Sequence, residues 1–253
     1  WEKKFPALSL KKSTFIIAVS GGVDSIVLAY LMHKAGACIS MAHANFQLRG
    51  EESTRDENFV KAFAEKYSIP LALNKFETAA YAQTYKMGIQ EAAREMRYAW
   101  FSNLLSENTQ TKKVLITAHH ADDQVETVFM QLARGTGLHG LTGIPEINGK
   151  IVRPLLLFSR SDILKYAEEN GIQWREDSSN ASDKYVRNKI RHHIVPVLKE
   201  INDISYNISG AIDFLSERKT NQASQKQQSV MMASNNLALL LDEVLQQLQK
   251  QAS

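Results

Sequence analysis

Ser20-Gly21-Gly22-Val23-Asp24-Ser25 is the stretch whose reading decides the fold. Residues 15–19 precede it with the apolar, β-branched content of a buried strand. Residues 26–32 follow it and read as a buried helix, closed by Gly36. The hexapeptide is therefore a turn between the first strand and first helix of an α/β unit. Two adjacent glycines let the backbone bend tightly and come close to a ligand. The helix start then offers N–H groups and the positive end of a dipole, which favour phosphate. The common phosphate loop needs a lysine inside or just after the turn, and none stands there. The plainer alternative is a Gly-Gly turn capped by Ser and Asp.

The chain has 253 residues, enough for one large domain or one plus a small appendage. A hydrophobic content of 44% with 23% charged residues fits a globular protein. The net charge of +3 is too small to argue for nucleic acid by itself. Cys38 is the single cysteine, which excludes a disulfide framework and any Cys-x-x-Cys metal or redox motif. No segment approaches the roughly 20 apolar residues that span a bilayer. No signal-peptide pattern opens the chain, so no membrane partner and a cytoplasmic location are expected. The sequence opens on Trp1 rather than Met, so its natural start is expected to be processed or missing.

Working outward, residues 38–44 form an expected second strand and 45–50 a loop, with Ser53 and Asp56 as a capping box. Phe59, Ala62 and Phe63 share one helical face. Ile69-Pro70 marks the step into a third strand at 71–76. From Gly88, the spacing of Ile89, Ala92, Ala93, Met96, Trp100 and Leu104 predicts an amphipathic helix. Residues 114–118 read as a buried strand, and Val125, Val128, Phe129 and Leu132 as the next helix face. Asn148-Gly149 between apolar residues predicts a two-residue hairpin. Ile163, Leu164 and Ala167, ended by Gly171, read as another helix. This alternation predicts an α/β fold with a doubly wound, mostly parallel sheet. Ligands in such sheets sit at the carboxyl ends of the strands. Beyond Pro196 the character changes. Ile208, Ile212 and Leu215 suggest a helix, 216–236 is rich in Gln, Ser, Asn and Lys, and 237–248 is a last amphipathic helix. The expected division is a catalytic domain at 1–197 and a small helical C-terminal region at 198–253.

Four further clusters could carry chemistry. In 117–127, at a strand end that opens a helix, Asp123 and Glu126 are three apart and share a face. Such a pair can hold an ammonium group or Mg²⁺. The plainer reading makes Asp122 and Asp123 helix caps. A zinc site is disfavoured, because no third spaced ligand set is visible. In 90–98, Gln90, Arg94 and Arg97 fall roughly opposite the apolar stripe. They are either a solvated charged face or, through Arg94 or Arg97, contacts to phosphate or developing negative charge. Residues 135–140 match the dinucleotide pattern Gly-x-Gly-x-x-Gly letter for letter. They follow a helix instead of a strand, so nicotinamide or flavin binding is set aside in favour of a glycine loop closing over the site. Finally, Glu176-Asp177-Ser178-Ser179-Asn180 precedes Lys184, Arg187, Asn188, Lys189, Arg191, His192 and His193. This is a solvated helix or a contact to an RNA backbone.

Taken together, these residues resemble the tRNA(Ile)-lysidine synthetases of the PP-loop ATP pyrophosphatase superfamily. The matching segments are SGGVDS, residues 43–53 with Leu48-Arg49-Gly50, QEAAREMRY, TAHHADDQVET, RGTG with Leu141 and Gly143, Arg153-Pro154-Leu155-Leu156, and EDSSN with Arg187-Asn188 and Arg191. They run in order over about residues 15–197. His43-Ala44-Asn45 departs from the pattern, since the family more often shows Asn then His there. The family often continues into further C-terminal domains that hold tRNA. The chain would then be a short or truncated member, with 198–253 a linker plus a partial tRNA-binding domain.

The resemblance implies ATP and Mg²⁺ as cofactors, and free lysine and a tRNA(Ile) with anticodon CAU as partners; a homodimer is left open. The C2 oxygen of the wobble cytidine would attack the α-phosphate of ATP and release pyrophosphate. The ε-amino group of lysine would then attack C2 and release AMP. As hypotheses, Ser20, Gly21, Gly22, Val23, Asp24 and Ser25 bind the pyrophosphate, and Asp24 orients Mg²⁺. Arg97 stabilises developing charge. Asp123 and Glu126 bind the lysine ammonium and accept its proton, and Arg94, Arg187 and Arg191 contact the tRNA. PP-loop tRNA thiolases are the sibling reading, and in many cases they use paired cysteines or an iron–sulfur cluster. Glutamine-dependent relatives need an ammonia source, and no amidase region is evident. An idle nucleotide- or RNA-binding module is the rival from another class.

Overall fold

A computed structural model describes residues 1, 4–106, 112–136, 140–176, 183 and 186–201. The helices expected within 202–253, residues 137–139 of the glycine-rich stretch, Lys184 and residues 177–180 lie outside the described residues. The chain divides into two compact units. The first comprises Trp1–Ala118, Glu146–Leu155 and Ser161–Asp177. The second comprises His119–Pro145, Leu156–Arg160 and the described residues from 183 onward. Helix α8 (Val195–Ile201) runs across the expected 197/198 boundary.

In the first unit, β1 (Ser13–Ala18), β2 (Ile39–Asn45), β3 (Leu71–Lys75), β4 (Lys112–Ile116), β5 (Ile147–Asn148) and β6 (Ile151–Val152) form one sheet, in the order β3-β2-β1-β4-β6-β5. All neighbours are parallel except β5 and β6. The chain winds outward from β1 through β2 to β3, then crosses to β4 on the other side of β1. The strand order therefore reverses between β1 and β4, the position where doubly wound sheets bind ligands.

Side-chain alternation along β1 builds two cores. Phe15 and Ile17 pack with Ile26, Val27, Met41, Val60 and Ile116, whereas Ile16 joins Ala42, Phe101 and Leu115. Both sheet faces are thus covered, which is why β1 reads as a continuous apolar run. Ile17 is fully buried. Ile17→Ala should cost about 2–5 kcal/mol of unfolding free energy in a urea titration.

The helices of this unit are α1 (Val23–Lys34), α2 (Glu51–Lys66), α3 (Thr78–Thr84), α4 (Ile89–Ser106) and α6 (Arg160–Glu169). The stops expected at Gly36 and Gly171 hold, since α1 ends at Lys34 and α6 at Glu169. Two local expectations are corrected. Helix α2 begins at Glu51 with Gly50 at its cap, so Ser53 and Asp56 lie inside it and form no capping box. Asp56 is buried and bonds instead to Arg49 and Arg55. The hairpin turns through Gly149-Lys150, one residue beyond Asn148-Gly149, because Ile147 pairs Val152 and Asn148 pairs Ile151. Gly149 alone of the two has positive φ, at 58°, which suits a turn with glycine first. No helix among the described residues is long and apolar enough to cross a membrane.

Two buried polar groups fasten the β2 end. Glu57 accepts from Asn45 at 2.7 Å and from Lys61 at 2.7 Å. Burial opposes its charge, but Lys61 and Asn45 bring the carboxyl down to about 2. His43 donates from Nδ1 to the Val19 carbonyl at 2.8 Å and is buried, so its pKa is lowered. The unfolded chain takes up a proton near pH 6.5, where folded His43 resists it. Stability should therefore fall as pH drops below about 6.5. Thermal midpoints between pH 7.5 and 5 should show this slope, and His43→Gln should flatten it.

Candidate active site

The Ser-Gly-Gly turn sits at the end of β1, at the reversal point of the sheet. Gly21 has φ +99°, a conformation that strains any residue with a Cβ. Its carbonyl accepts from the Arg175 amide at 2.9 Å, which pins the bend from outside. Gly22 is the N-cap of α1, and the first helical bond runs from the Ile26 N–H to the Gly22 carbonyl. The N–H groups of Val23, Asp24 and Ser25 thus form the open first turn of a 12-residue helix. Two serines shape the loop. Ser25 Oγ donates to the Gly22 carbonyl at 2.9 Å and receives the Ser20 amide at 3.2 Å. Ser20 Oγ receives the Gly22 amide at 3.3 Å and lies 3.3 Å from Ser25 Oγ. Ser20 is exposed, and Gly22 and Asp24 are half-buried. The result is an accessible anion cradle at a helix start. Its oxygen donors, one carboxylate and two hydroxyls, suit Mg²⁺ held jointly with phosphate oxygens and water.

On α4, Gln90 and Arg94 are exposed as a solvated face would be, but Arg97 is not. Arg97 is half-buried, its guanidinium 5.9 Å from the Phe46 ring centre and 5.6 Å from that of Tyr98. Burial lowers its pKa, Tyr98 opposes this, and the neighbouring Arg94 adds to the lowering. Arg94 lies over the same Tyr98 ring at 4.9 Å. Arg153, which the sequence reading quoted in a matching segment but gave no role, is buried just after β6 and hydrogen-bonds Tyr98. Three guanidiniums thus surround one phenol. Poorly hydrated cations in this setting bind an anion strongly.

The second unit holds the acidic cluster on α5 (Ala121–Ala133). Asp123 Oδ2 accepts the His120 amide at 3.0 Å, so Asp123 is a helix cap as the plainer reading had it. It is more than a cap. Arg187 donates to Asp123 Oδ1 at 2.6 Å and to Glu126 Oε2 at 2.6 Å. Arg191 donates to Glu126 at 2.6 and 3.0 Å. Glu126 is only 1% exposed. Lys199 on α8 pairs with Asp122. These bonds fix α7 (Val186–Lys189), the π-helical turn Ile190–Ile194 and α8 against α5. Val125, Val128, Phe129, Ile190, Val195 and Leu198 pack beneath them. Burial raises the Asp123 carboxyl, but His120, Arg187 and His119 together hold it below the ordinary carboxylate range. Two arginines expected to face RNA are therefore engaged with the two carboxylates expected to face lysine. The spacing within 187–191 carried that signal, because i and i+4 arginines share a face as Asp123 and Glu126 do. His192 and His193 both meet Asp183, at 2.7 and 2.6 Å. Of the glycine-rich stretch, Gly135 and Thr136 follow α5 directly, so no strand precedes them as a dinucleotide site requires.

Residues 2–198 match the PP-loop domain. The chain belongs to the PP-loop domain family. Among curated relatives, it is 46% identical over 195 residues to a tRNA(Ile)-lysidine synthase of Bacteroides thetaiotaomicron, covering 77% of this chain and 45% of that one. It is 39% identical over 200 residues to that of Bacillus subtilis, covering 76% and 42%. The chain spans about half the length of the curated relatives it matches. In three dimensions it is similar to the U34-tRNA thiolase NcsA of Methanococcus maripaludis, with TM-score 0.68 at 19% identity over 85% of this chain and 78% of that one. At that identity the likeness concerns the fold alone. The mostly parallel sheet expected from the sequence is thus the family's fold.

Proposed function

We propose that this PP-loop chain carries the catalytic part of a tRNA(Ile)-lysidine synthase. The carrying observation is the serine-braced Gly21-Gly22 cradle at the reversal point of the sheet. Family membership implies ATP as a substrate, the name of the curated relatives suggests tRNA(Ile), and the sequence resemblance adds free lysine and the anticodon CAU. The first-turn N–H groups of α1, with Ser20 and Ser25, hold the leaving pyrophosphate. Mg²⁺, held by Asp24, would offset charge on that leaving group. Arg97, desolvated between Phe46 and Tyr98, stabilises negative charge as the cytidine C2 oxygen attacks the α-phosphate. Arg94, exposed beside it, contacts tRNA. Asp123 and Glu126 bind the lysine ammonium; the low pKa of Asp123 suits this ion pairing better than taking the proton that must leave before the amine can attack. An incoming ammonium then competes with Arg187 and Arg191 for the same oxygens, which turns those guanidiniums outward to the tRNA.

Mass analysis of tRNA(Ile) after incubation with ATP and isotope-labelled lysine tests the reading. The label should appear at the wobble cytidine and only with ATP present. Pyrophosphate release without labelled tRNA would point to a sibling PP-loop reaction instead. Arg187→Ala is expected to change KM for lysine severalfold while leaving KM for ATP alone. Steady-state kinetics in each substrate check this.

A further inference from the structure

We propose that a groove along α2 binds the ribose–phosphate strand of the substrate RNA; this rests on the reading that the substrate is an RNA. The groove has a volume of about 1180 Å³ and lies wholly within the first unit. Its walls are the outer side of α2, the chain at Asn45, Gln47 and Lys75 by the ends of β2 and β3, and residues 171–173 with Arg175. Four lining side chains are basic, Arg55, Lys66, Lys75 and Arg175, and Glu51 alone is acidic. The whole chain is nearly balanced, with 30 basic and 27 acidic residues, so this is a local excess. Such a stripe attracts a polyanion and releases its counterions.

The ring contacts narrow the occupant to a nucleic-acid strand. Arg175 lies over Phe59 at 5.1 Å, and Lys66 over Tyr67 at 5.2 Å. A guanidinium held over a ring face can still turn donors outward, where phosphate oxygens can take two at once. Basic side chains interleaved with aromatic faces are how proteins follow single-stranded RNA. Arg55 and Lys75 lean on buried Asp56 and Glu57, which holds them in place along the wall. The groove also meets the nucleotide cradle. The Arg175 amide bonds the Gly21 carbonyl, and a Cβ on Gly22 would come within 4.0 Å of the Arg175 carbonyl. A strand held by Arg175 therefore ends beside the phosphate-binding bend.

The test uses Lys66→Gln and Arg175→Gln, singly and together, with a tRNA(Ile) transcript as probe. Binding is followed by fluorescence anisotropy between about 50 and 200 mM salt. Each change should weaken binding about fivefold and flatten the plot of log Kd against log salt by about 0.7 per lost phosphate contact. In turnover, Lys66→Gln should raise KM for tRNA while kcat at saturating tRNA is kept and ATP binding is unchanged. An unchanged Kd and slope in the double variant overturns the proposal, as does a parallel loss of ATP binding in Lys66→Gln. So does a change confined to self-association in sedimentation. Wild-type protein that makes lysidine with an unchanged slope in the variants refutes the groove alone. A flattened slope with no lysidine from wild type refutes the reaction and leaves the groove.

Discussion

Glu126→Ala should destabilise the second unit by about 3–5 kcal/mol. Glu126 is the most buried member of the α5 ion-pair network and accepts from both Arg187 and Arg191. Removing it leaves Asp123 as the carboxylate facing both guanidiniums among the described residues. The arginine side chains are 37% and 27% exposed and can turn toward water, so the cost should fall near the lower end of that range. Against a typical domain stability of about 5–15 kcal/mol this is a large fraction. Glu126→Gln, which keeps an acceptor oxygen but loses the charge, should cost less. All three tryptophans, at 1, 100 and 174, lie in the first unit, so their fluorescence would miss the effect. Amide hydrogen exchange along α5 and α8 reads it directly. A change under about 1 kcal/mol would show that the network is worth no more than a surface pair.

Asp24→Ala should lower lysidine formation at least about 1000-fold while leaving the fold intact, a loss on the scale of removing charge stabilisation from a transition state. Asp24 is half-buried in the first turn of α1, beside the cradle and outside the apolar packing that holds the helix. Circular dichroism and the urea midpoint should therefore match wild type within about 0.5 kcal/mol. Turnover close to wild type would remove Asp24 from the chemistry. Asp123→Ala is a poorer test of the same reaction, because Asp123 also caps α5 and pairs with Arg187. A loss of activity there mixes catalysis with unfolding. The two are separated by asking whether raising lysine concentration restores rate: a damaged ammonium site responds, and an unfolded unit does not.

Much of the first unit was legible in the primary structure because its signals are local. The apolar run in β1, the two glycines and the buried helix after them each follow from short-range backbone preferences, and together they forced a strand–turn–helix. The hairpin was visible too, but its position slipped by one residue, since cross-strand pairing of Ile147 with Val152 sets the register. The expected cap at Ser53 and Asp56 failed for a related reason. Asp56 is drawn inward by Arg49 and Arg55, and the helix starts earlier, at Glu51 with Gly50 as its cap. Helix α3 escaped notice because seven residues with two buried positions carry almost no periodicity.

The sequence by itself determined the Ser-Gly-Gly bend, the alternating α/β order and the candidate residues, because turn chemistry and side-chain period act within a few residues of chain. Only the tertiary structure decided which of those residues meet. It joined Arg187 and Arg191 to Asp123 and Glu126 across some sixty positions. It tucked Arg153 against Tyr98 and braced Gly21 with the Arg175 backbone. The physical reason is that a buried charge must find an opposite charge or a polar partner wherever the fold brings one near. No local rule of spacing records how far along the chain that partner will be.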